Sequence, residues 1–421
     1  MNYLNHKGRR RVVITATGVI SPIGNNSEAY WRGLKNGANG AAPISAFDAS
    51  EFKCTLAAEV KNFNPEDYFS RKEVRRLDRS TQFALAAVKE AIESSGLKLE
   101  DYDPFRMGVI LGTGIGGYTT METEIGKYFD KGEKVISPLY IPMFISNMTS
   151  GRVAMEYPIY GVNYAIATAC ASSTNAIGEA FQKITNGYLD ICVTGGFEAP
   201  IRPSAIGGFV NMTALTTQTD PELASRPFDR DRDGFLSGEG AGILILESLE
   251  SAVQRGAKII AEITGYGATA DGYHITSPHP EGRGDSRALL MAIEDAGRKP
   301  EEIDYINAHG TSTPLNDKYE TIAIKQALGA RAYEIQITSI KGNTGHLMGA
   351  AGAIEAIATA FILRDGVIPP IRGLVNKAEE CDLDYVYGQA RPSDARVALS
   401  NSLGFGGQNG VICLEKYEET L

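Results

Sequence analysis

Short runs of apolar, β-branched residues alternate with longer helical periods along most of this chain, and this alternation limits the folds that the chain can adopt. Strand-like runs occupy residues 107–112, 163–169, 189–194, 241–246, 259–265, 303–308, 335–341 and 410–415. Most of the segments between them have the apolar spacing of helices. This order predicts an α/β fold in layers, with mostly parallel strands.

The same order of strand, loop and helix begins again after the helical segment 247–258. The chain has 421 residues, which is enough for two hydrophobic cores. We therefore predict two halves, residues 1–258 and 259–421. No alignable repeat relates the halves, so their similarity is expected in architecture alone.

Charge and cysteine content exclude several classes of function. The 41 basic and 51 acidic residues give a net charge of −10, which disfavours binding to nucleic acid or to an anionic membrane. The five cysteines are far apart and form no C-x-x-C pair, so neither a disulfide framework nor a cysteine-based zinc site is predicted. No signal peptide and no apolar run long enough to cross a membrane is present, so we predict a cytoplasmic protein.

Cys170 directly follows the apolar run 163–169 and precedes a helical period that ends at Asn186–Gly187. A cysteine at a helix N-terminus is favoured as thiolate by the helix dipole and by free backbone N–H groups. The sequence therefore predicts a nucleophile with a lowered pKa at Cys170. The alternative is an inert, buried cysteine at a strand end.

Two of the five histidines also stand at strand exits. His309 follows the run 303–308, and His346 follows the run 335–341, whose last residue is Lys341. The carboxyl ends of parallel strands are where α/β proteins bind ligands, so both histidines could meet Cys170. Hydrogen-bonded structural histidines are the alternative.

Four motifs and one further segment carry a resemblance to a known family. They are T-A-C-A-S-S at 168–173, H-G-T-S-T-P at 309–314, K-G-N-T-G-H at 341–346, N-S-L-G-F-G-G-Q-N at 401–409 and R-P-F-D-R-D-R-D-G-F at 226–235. With these motifs in this order, the chain resembles the β-ketoacyl-[acyl-carrier-protein] synthases of the thiolase-like superfamily, and most of all the elongating type II synthases. Initiating type III synthases use Cys, His and Asn, whereas this chain has His346 at the third position.

The resemblance implies a thiolase-like fold of two similar halves in five α-β-α-β-α layers, paired as a homodimer. It also implies a ping-pong condensation in which Cys170 takes an acyl group from an acyl-carrier protein and malonyl-carrier protein then loses CO₂ and attacks it. The implied oxyanion hole consists of the backbone N–H groups of Cys170 and Phe405. Neutral His309 and His346 are implied to stabilise the enolate.

The family's supporting residues match further positions. Lys341 is expected to pair with Glu320, and Glu355 is expected to be structural. The tunnel for the pantetheine arm matches Thr311, Thr313, Thr276 and Ser277. The gate matches Asp271, Gly404, Phe405, Gly406 and Gly407. The acyl pocket matches Ile115 at its floor, Tyr140 from the partner subunit and Phe209.

Carrier proteins are acidic, so docking requires local positive charge. The segment 71–79 carries five basic residues, and Lys72 and Arg76 are expected to share one face of a two-turn helix. A solvated helix face is the alternative. Thr213 stands where fatty-acid synthases of this family usually have an arginine, which leaves the identity of the carrier open.

Two further expectations follow from the resemblance. No organic cofactor is expected, because thioester cleavage and decarboxylation supply the driving force. A structural monovalent cation is implied near Asn307, Glu355, Ser400 and Asn401.

The sequence also allows several other interpretations. The G-T-G-I-G-G run at 112–117 matches a dinucleotide motif but lacks an acidic residue on a second strand, and Asp229, Asp231 and Asp233 open no complete calcium loop. Zinc at Cys170, His309 and His346 stays an alternative, although a metal-bound thiolate would not be free to attack. A non-catalytic chain-length partner should lack the cysteine, and a thiolase or hydrolase should lack the second histidine motif. Tyr140, Thr213 and Leu403 keep a polyketide or aryl-polyene ketosynthase open.

Overall fold

The computed structural model describes residues 2–418. Its strands are β1 (Val12–Ile20), β2 (Ala42–Pro43), β3 (Leu56–Ala57), β4 (Met107–Gly112), β5 (Asn163–Ile166), β6 (Ile191–Glu198), β7 (Gly240–Ser248), β8 (Ala261–Ala270), β9 (Tyr305–Asn307), β10 (Gln336–Thr338), β11 (Val367–Ile368), β12 (Asp384–Tyr385), β13 (Arg391–Pro392), β14 (Val397–Gly404) and β15 (Gln408–Glu415). Its α-helices are α1 (Ser27–Lys35), α2 (Arg71–Val74), α3 (Arg79–Ser95), α4 (Tyr118–Lys131), α5 (Tyr140–Phe144), α6 (Met148–Glu156), α7 (Ser172–Thr185), α8 (Pro203–Asn211), α9 (Leu249–Gln254), α10 (Arg283–Asp295), α11 (Pro314–Leu328), α12 (Lys341–Thr344) and α13 (Ala351–Asp365).

Eleven strands of the described chain form one sheet in the order β12-β10-β9-β14-β15-β8-β1-β7-β6-β4-β5. The strand order is the same in two sets, β1, β4, β5, β6, β7 and β8, β9, β10, β14, β15: numbered along the chain, both read 3-2-4-5-1. The two sets meet where β1 pairs antiparallel with β8 over three residues. The chain therefore builds the same sheet topology twice.

The sheet is mixed, so the expectation of mostly parallel strands is wrong for about half of it. The parallel pairs are β4–β5, β4–β6, β9–β10, β9–β14 and β10–β12. The antiparallel pairs are β1–β7, β1–β8, β6–β7, β14–β15 and β8–β15. β14 and β15 are joined by the short turn 405–407, and strands joined by so short a turn can pair only antiparallel.

Helices α7 and α13 form the central layer, because they pack on each other and each contacts strands of both sets. Helix α3 covers β1 and β7 and forms one outer layer. Helices α10 and α11 pack together in the other outer layer, where α10 covers β8 and β15. Residues 351–363 of α13 are all buried. A helix that is buried on all sides belongs to an interior layer, so the layers run α-β-α-β-α.

Three observed boundaries differ from those expected from the sequence. Strand β5 ends at Ile166, so a short loop separates it from Cys170. Lys341 is the first residue of helix α12 and not the last residue of a strand. Strand β14 was not predicted at all.

The predicted division into halves 1–258 and 259–421 stays a prediction. Its boundary falls in the segment between α9 and β8, and residue 1 and residues 419–421 lie outside the described residues. Within residues 2–418, no helix is both long enough and apolar enough to cross a membrane.

Candidate active site

Cys170 lies in a single 3₁₀ turn, Ala169–Ala171, which runs directly into helix α7. Ala169 has a left-handed backbone with φ 50°. The Ser172 hydroxyl closes the turn, since it accepts a hydrogen bond from Thr168 N at 2.9 Å and donates one to Ala169 O at 2.6 Å. This turn places Cys170 directly before the first turn of α7.

Cys170, His309 and His346 converge, although they are far apart in the sequence. The thiol sulfur and one nitrogen of each imidazole all lie within 4.8 Å of one another, and all three side chains are buried. The two imidazole rings stand edge to face, with centroids 5.3 Å apart. A nucleophile and two donors or acceptors of hydrogen bonds therefore share one small volume.

The thiol is not the low-pKa group that its helix position predicts. Burial raises the pKa of Cys170 to about 12, and nearby Lys341 and the backbone N–H of Phe405 only partly offset this effect. The expected lowering of the pKa is therefore wrong in this site, because the loss of water disfavours the thiolate more than Lys341 and the Phe405 N–H favour it. The resting residue is a neutral thiol.

Lys341 fixes the orientation of His309. Its ammonium donates to His309 O at 2.5 Å and lies 3.3 Å from His309 Nδ1. An ammonium has only protons to donate, so Nδ1 must be the acceptor and the ring proton stands on Nε2. His309 thus presents an N–H donor on its other edge.

The ion pair of Lys341 differs from the expected one. Its ammonium contacts Glu355 on α13 in a fully buried pair, whereas Glu320 accepts the backbone N–H groups of His309 at 2.6 Å and Gly310 at 2.8 Å. The predicted Lys341–Glu320 pair is therefore wrong. Glu320 holds the main chain of the His309 loop, and Glu355 holds the lysine.

Both histidines are neutral. Burial, helped by the positive charge of Lys341, lowers the pKa of His309 and of His346 well below the ordinary value. A neutral imidazole donates one hydrogen bond without carrying a charge that would need a counter-ion.

Phe405 lies in the turn between β14 and β15, at the edge of the site. Its backbone N–H faces the Cys170 sulfur and favours the thiolate form. The turn is bonded to the opposite loop, since Gly406 N donates to Ile275 O at 2.8 Å and Asp271 N donates to Gly407 O at 2.8 Å. Together with Gly404, the last residue of β14, these are the residues predicted to form the gate, and the two loops are in contact.

The residues predicted to line the pantetheine tunnel lie on two loops. The hydroxyl oxygens of Thr311 and Thr313 are 2.9 Å apart. Thr276 and Ser277 lie in the loop that follows Asp271, where their N–H groups donate to His274 Nδ1 at 3.1 Å each. Thr276 and Ser277 are half-buried.

An aromatic series connects the predicted acyl pocket to His346. Phe209 on α8 packs edge to face on Phe235 at 5.5 Å, and Phe235 packs edge to face on His346 at 5.5 Å. Ile115 lies in the turn after β4, and Tyr140 begins α5 with its ring stacked on Phe144. The structure brings Phe209 into the cluster of buried apolar residues that contains Cys170.

The predicted docking residues are exposed, but their helix is shorter than expected. Helix α2 ends at Val74, so Lys72 and Arg76 do not share a two-turn helix face. A serine N-cap with Glu73 starts the helix, and the chain turns immediately after it. Lys72 and Arg76 nevertheless line one cavity of about 520 Å³, together with Arg152.

The four residues implied for a monovalent cation fit such an ion. Each has a buried oxygen without a hydrogen-bond partner: Asn307 Oδ1, Glu355 Oε2, Ser400 Oγ and Asn401 Oδ1. Oxygen donors of this kind suit a hard cation, and an orphaned buried oxygen is costly without one. The cation stays a prediction that this donor set supports.

The zinc alternative fits less well. A zinc-bound imidazole normally donates its second N–H to a carboxylate or carbonyl. Here His309 Nδ1 faces the Lys341 ammonium, and His346 Nδ1 has no hydrogen-bond partner. A lysine cation beside the ligand set also opposes a divalent ion.

One buried carboxylate of the site was missed in the sequence. Glu198 ends β6 and accepts hydrogen bonds from the G-T-G-I-G-G segment, including one from Gly114 N at 2.6 Å. The signal that could have found it is an acidic residue at the end of a strand-like run. The dinucleotide motif of that glycine-rich segment gives no sign that its N–H donors are satisfied by a carboxylate of the chain itself.

Comparison with known proteins gives a consistent result. The family model "Beta-ketoacyl synthase, N-terminal domain" matches residues 9–252, and "Beta-ketoacyl synthase, C-terminal domain" matches residues 260–374. The "3-oxoacyl-[acyl-carrier-protein] synthase 2" of Synechocystis sp. is 50% identical over 411 residues, which cover 97% of this chain and 99% of that protein. A Staphylococcus aureus protein of the same name is 48% identical over 409 residues, with the same coverage.

Solved structures agree with these matches. "The ishigamide ketosynthase/chain length factor" is 37% identical with a TM-score of 0.91, over 97% of this chain and 100% of that one. A type II polyketide ketosynthase in complex with its acyl-carrier protein is 34% identical with a TM-score of 0.91 and the same coverage. A Burkholderia phymatum β-ketoacyl synthase is 32% identical, with a TM-score of 0.89 over 97% of this chain and 100% of that one. These likenesses confirm the predicted thiolase-like fold.

Proposed function

The chain belongs to the β-ketoacyl synthase family, and from that membership and the geometry of its site we propose the reaction steps given below. The enzyme is a 3-oxoacyl-[acyl-carrier-protein] synthase of type II. It elongates an acyl chain by decarboxylative condensation with malonyl-carrier protein, as in fatty acid biosynthesis. The observation that carries the assignment of roles is the buried group of Cys170, His309 and His346.

In the first half-reaction, Cys170 Sγ attacks the thioester carbonyl of an acyl-carrier protein. The C–S bond to the carrier breaks, and the thiol proton ends on the departing pantetheine sulfur. A ring nitrogen of His346 within 4.8 Å of Sγ can carry the proton between the two sulfurs. The thiol pKa of about 12 requires such a transfer, because little thiolate exists before the attack.

In the second half-reaction, malonyl-carrier protein loses CO₂ and leaves an enolate. Neutral His309 and His346 donate hydrogen bonds to the enolate oxygen, and Lys341 keeps the proton of His309 on Nε2. The enolate carbon attacks the acyl group on Cys170. The tetrahedral oxyanion accepts from the N–H groups of Cys170 and Phe405, and its collapse releases Cys170 and 3-oxoacyl-carrier protein.

The remaining predicted residues act on binding. We assign the pantetheine arm to the tunnel of Thr311, Thr313, Thr276 and Ser277. We assign the acyl chain to the pocket of Ile115, Phe209 and the partner subunit's Tyr140. The gate consists of Asp271 and the turn from Gly404 to Gly407, whose main chains are hydrogen-bonded to each other.

We propose that the synthase is a homodimer that docks an acyl-carrier protein. Lys72 and Arg76 are exposed beside a cavity of about 520 Å³, which supports an acidic partner there. Strand β5 is an open sheet edge, which supports pairing with a second copy. We also propose a cytoplasmic location, since all five cysteines are free.

A ketosynthase of a polyketide or aryl-polyene pathway is the second candidate. The relatives named ishigamide ketosynthase and type II polyketide ketosynthase are 37% and 34% identical, lower than the 50% and 48% of the 3-oxoacyl synthases. Thr213 is exposed in the turn after α8, where it offers no positive charge to a carrier. The nature of the carrier protein therefore decides between the two pathways.

Mass spectrometry of the carrier-bound products tests the proposal. Wild-type enzyme with acyl- and malonyl-carrier protein should yield 3-oxoacyl-carrier protein. His309→Ala and His346→Ala should each lose about 10²–10³ in decarboxylation rate, the cost of removing a donor to a developing oxyanion. His6→Ala, an exposed histidine far along the chain from these motifs, should keep the wild-type rate. Wild-type decarboxylation in both site variants would overturn the assigned roles.

A further inference from the structure

Glu198 is a buried carboxylate to which the proposed mechanism gives no role. It ends β6 and is 1% exposed. No lysine, arginine or histidine of residues 2–418 forms an ion pair with it. An ionisable group buried without a counter-ion is expensive, so it needs an explanation in hydrogen bonds.

Four donors from two separate loops converge on this carboxylate. Oε1 accepts from Thr113 Oγ1 at 2.9 Å and Ile115 N at 3.2 Å, and Oε2 accepts from Gly114 N at 2.6 Å and Gly349 N at 3.0 Å. Three of these donors are backbone N–H groups, which cannot reverse. An ionised carboxylate satisfies all four donors at once.

The two loops both lie close to the reacting cysteine. The first is the turn 113–116 after β4, and Gly114 packs close to Ala169, the neighbour of Cys170. The second is the turn 346–350, which begins at His346 and places Met348 in the same apolar cluster as Cys170. A Cβ on Gly349 would lie 2.5 Å from Glu198 Oε2 and would overlap Gly114 N, so the loops touch across the carboxylate.

Glu198 also acts on the cysteine through its charge. Its negative charge adds to the burial that raises the pKa of Cys170. Burial raises the pKa of Glu198 itself to about 7, although its four hydrogen bonds oppose that change. At pH 8 the carboxylate form, which accepts all four bonds, is therefore the main one.

We propose that Glu198 is a positioning residue for acyl selection, which holds the turn 113–116 against the turn 346–350 and thereby fixes the wall past which an acyl chain on Cys170 extends. This inference rests on the proposed function, since it assumes that Cys170 carries the acyl chain and that Ile115 limits its length. Without the carboxylate the Ile115 turn loses its anchor. The pocket should then admit longer chains.

Glu198→Gln tests the inference at pH 8. Glutamine has nearly the same size as glutamate, but its NH₂ group takes the place of a carboxylate oxygen that accepts two hydrogen bonds. The NH₂ group then faces a backbone N–H and cannot accept from it. We measure Cys170 acylation rates with a long and a short acyl-carrier protein. The ratio of long-chain to short-chain rates should rise about tenfold, the effect of losing one hydrogen bond to a charged group. Thr113→Val removes one of the four donors to Glu198, and with it the hydroxyl that accepts from Gly116 N at 3.0 Å within the same turn. It should raise the ratio about threefold, half of that free energy.

Glu90→Gln is the matched control. Glu90 is a half-buried carboxylate that also accepts backbone N–H groups, from Val19 at 2.9 Å and Ser27 at 2.7 Å, but it joins β1 to α1 and has no hydrogen bond to either loop of the site. Glu90→Gln should lower the stability of the enzyme without changing the ratio of long-chain to short-chain acylation rates. An unchanged ratio in both Glu198→Gln and Thr113→Val, or an equal change in Glu90→Gln, would overturn the inference. If wild-type Cys170 takes up no acyl group at all, the proposed function fails instead.

Discussion

At the scale of single residues, the site combines a neutral thiol with two neutral histidines. Burial disfavours every charge in this volume, so the pKa of Cys170 rises and the pKa values of His309 and His346 fall. The charges that do remain are paired, as in the buried contact of Lys341 with Glu355. The proposed mechanism therefore activates the thiol by proton transfer during attack and not as a resting thiolate.

The pH dependence of Cys170 alkylation follows from its pKa of about 12. Only the thiolate reacts with iodoacetamide, and its fraction rises with pH as long as the pH is below the pKa. We expect the alkylation rate to rise by about tenfold per pH unit from pH 7 to pH 9, without a plateau. Intact mass measures the rate, and Cys170→Ser gives the background of the other cysteines. A plateau below pH 9 would show a thiolate stabilised by the helix N-terminus.

Replacing Lys341 should slow the decarboxylation half-reaction. Lys341→Met removes the ammonium that holds the proton of His309 on Nε2, so decarboxylation should fall about 10²-fold. Lys325 on α11 pairs with Asp382, and Lys325→Met breaks this ion pair and should leave the rate unchanged. Release of CO₂ from malonyl-carrier protein is the measurement. A Lys341→Met enzyme at the wild-type rate would contradict the role given to the lysine.

Cys170, His309 and His346 could be proposed as site residues from sequence because each stands at a strand exit within a family motif. The partner of Lys341 could not. Glu320 and Glu355 are both buried acids on helices that follow the motifs, and only the packed orientation of α11 and α13 decides which reaches the ammonium. The raised pKa of the Cys170 thiol could not be predicted from the sequence either, because the burial of the thiol depends on segments from the whole chain.

At the scale of elements, the site depends on how closely helices α7 and α13 approach. Gly352 on α13 faces Thr174 on α7, and a Cβ at that position would overlap the threonine hydroxyl. The central layer therefore needs a residue without a side chain at this crossing. Strand β14 was missed because its sequence V-A-L-S-N-S-L-G is too polar to read as a strand, yet it is buried between β9 and β15.

Gly352→Ala should lower the stability of the enzyme, although alanine favours helix. Overpacking at a tight helix crossing costs about 1–3 kcal/mol, more than the ~1 kcal/mol that alanine gains over glycine in a helix. Gly126→Ala on α4 is the matched control, because an added Cβ there meets nothing within 4 Å. Thermal unfolding should show a lower midpoint for the first variant and a higher one for the second. Equal shifts of both midpoints would contradict this packing.

At the scale of the whole molecule, one topology built twice places the Cys170 turn after β5 and the His346 loop after β10, which are corresponding strands of the two sets. Repetition of the strand order was expected in architecture, whereas the antiparallel β1–β8 seam that joins the two sets was not. No local pattern encodes that seam, because it pairs strands about 250 residues apart, and pairing over such separations depends on the complete fold.

The open edge at β5 should pair with a second copy. Exposed apolar side chains on the adjacent helices include Ile141 at 55% and Met155 at 62% exposure. Sedimentation should give twice the mass of the chain, and Ile141→Glu with Met155→Glu should give a monomer. Val375→Glu, at 67% exposure in the loop between β11 and β12, is the control and should stay a dimer. A monomeric wild type would contradict the dimer and the shared pocket.

Acylation of Cys170 is the central claim, and intact mass after incubation with acyl-carrier protein tests it most directly. Wild-type enzyme should gain the mass of one acyl group, and malonyl-carrier protein should remove it and release a 3-oxoacyl product. Cys170→Ala should gain nothing. An enzyme that keeps a free Cys170 with every acyl donor, or a Cys170→Ala variant that still takes up the acyl group, would contradict the account.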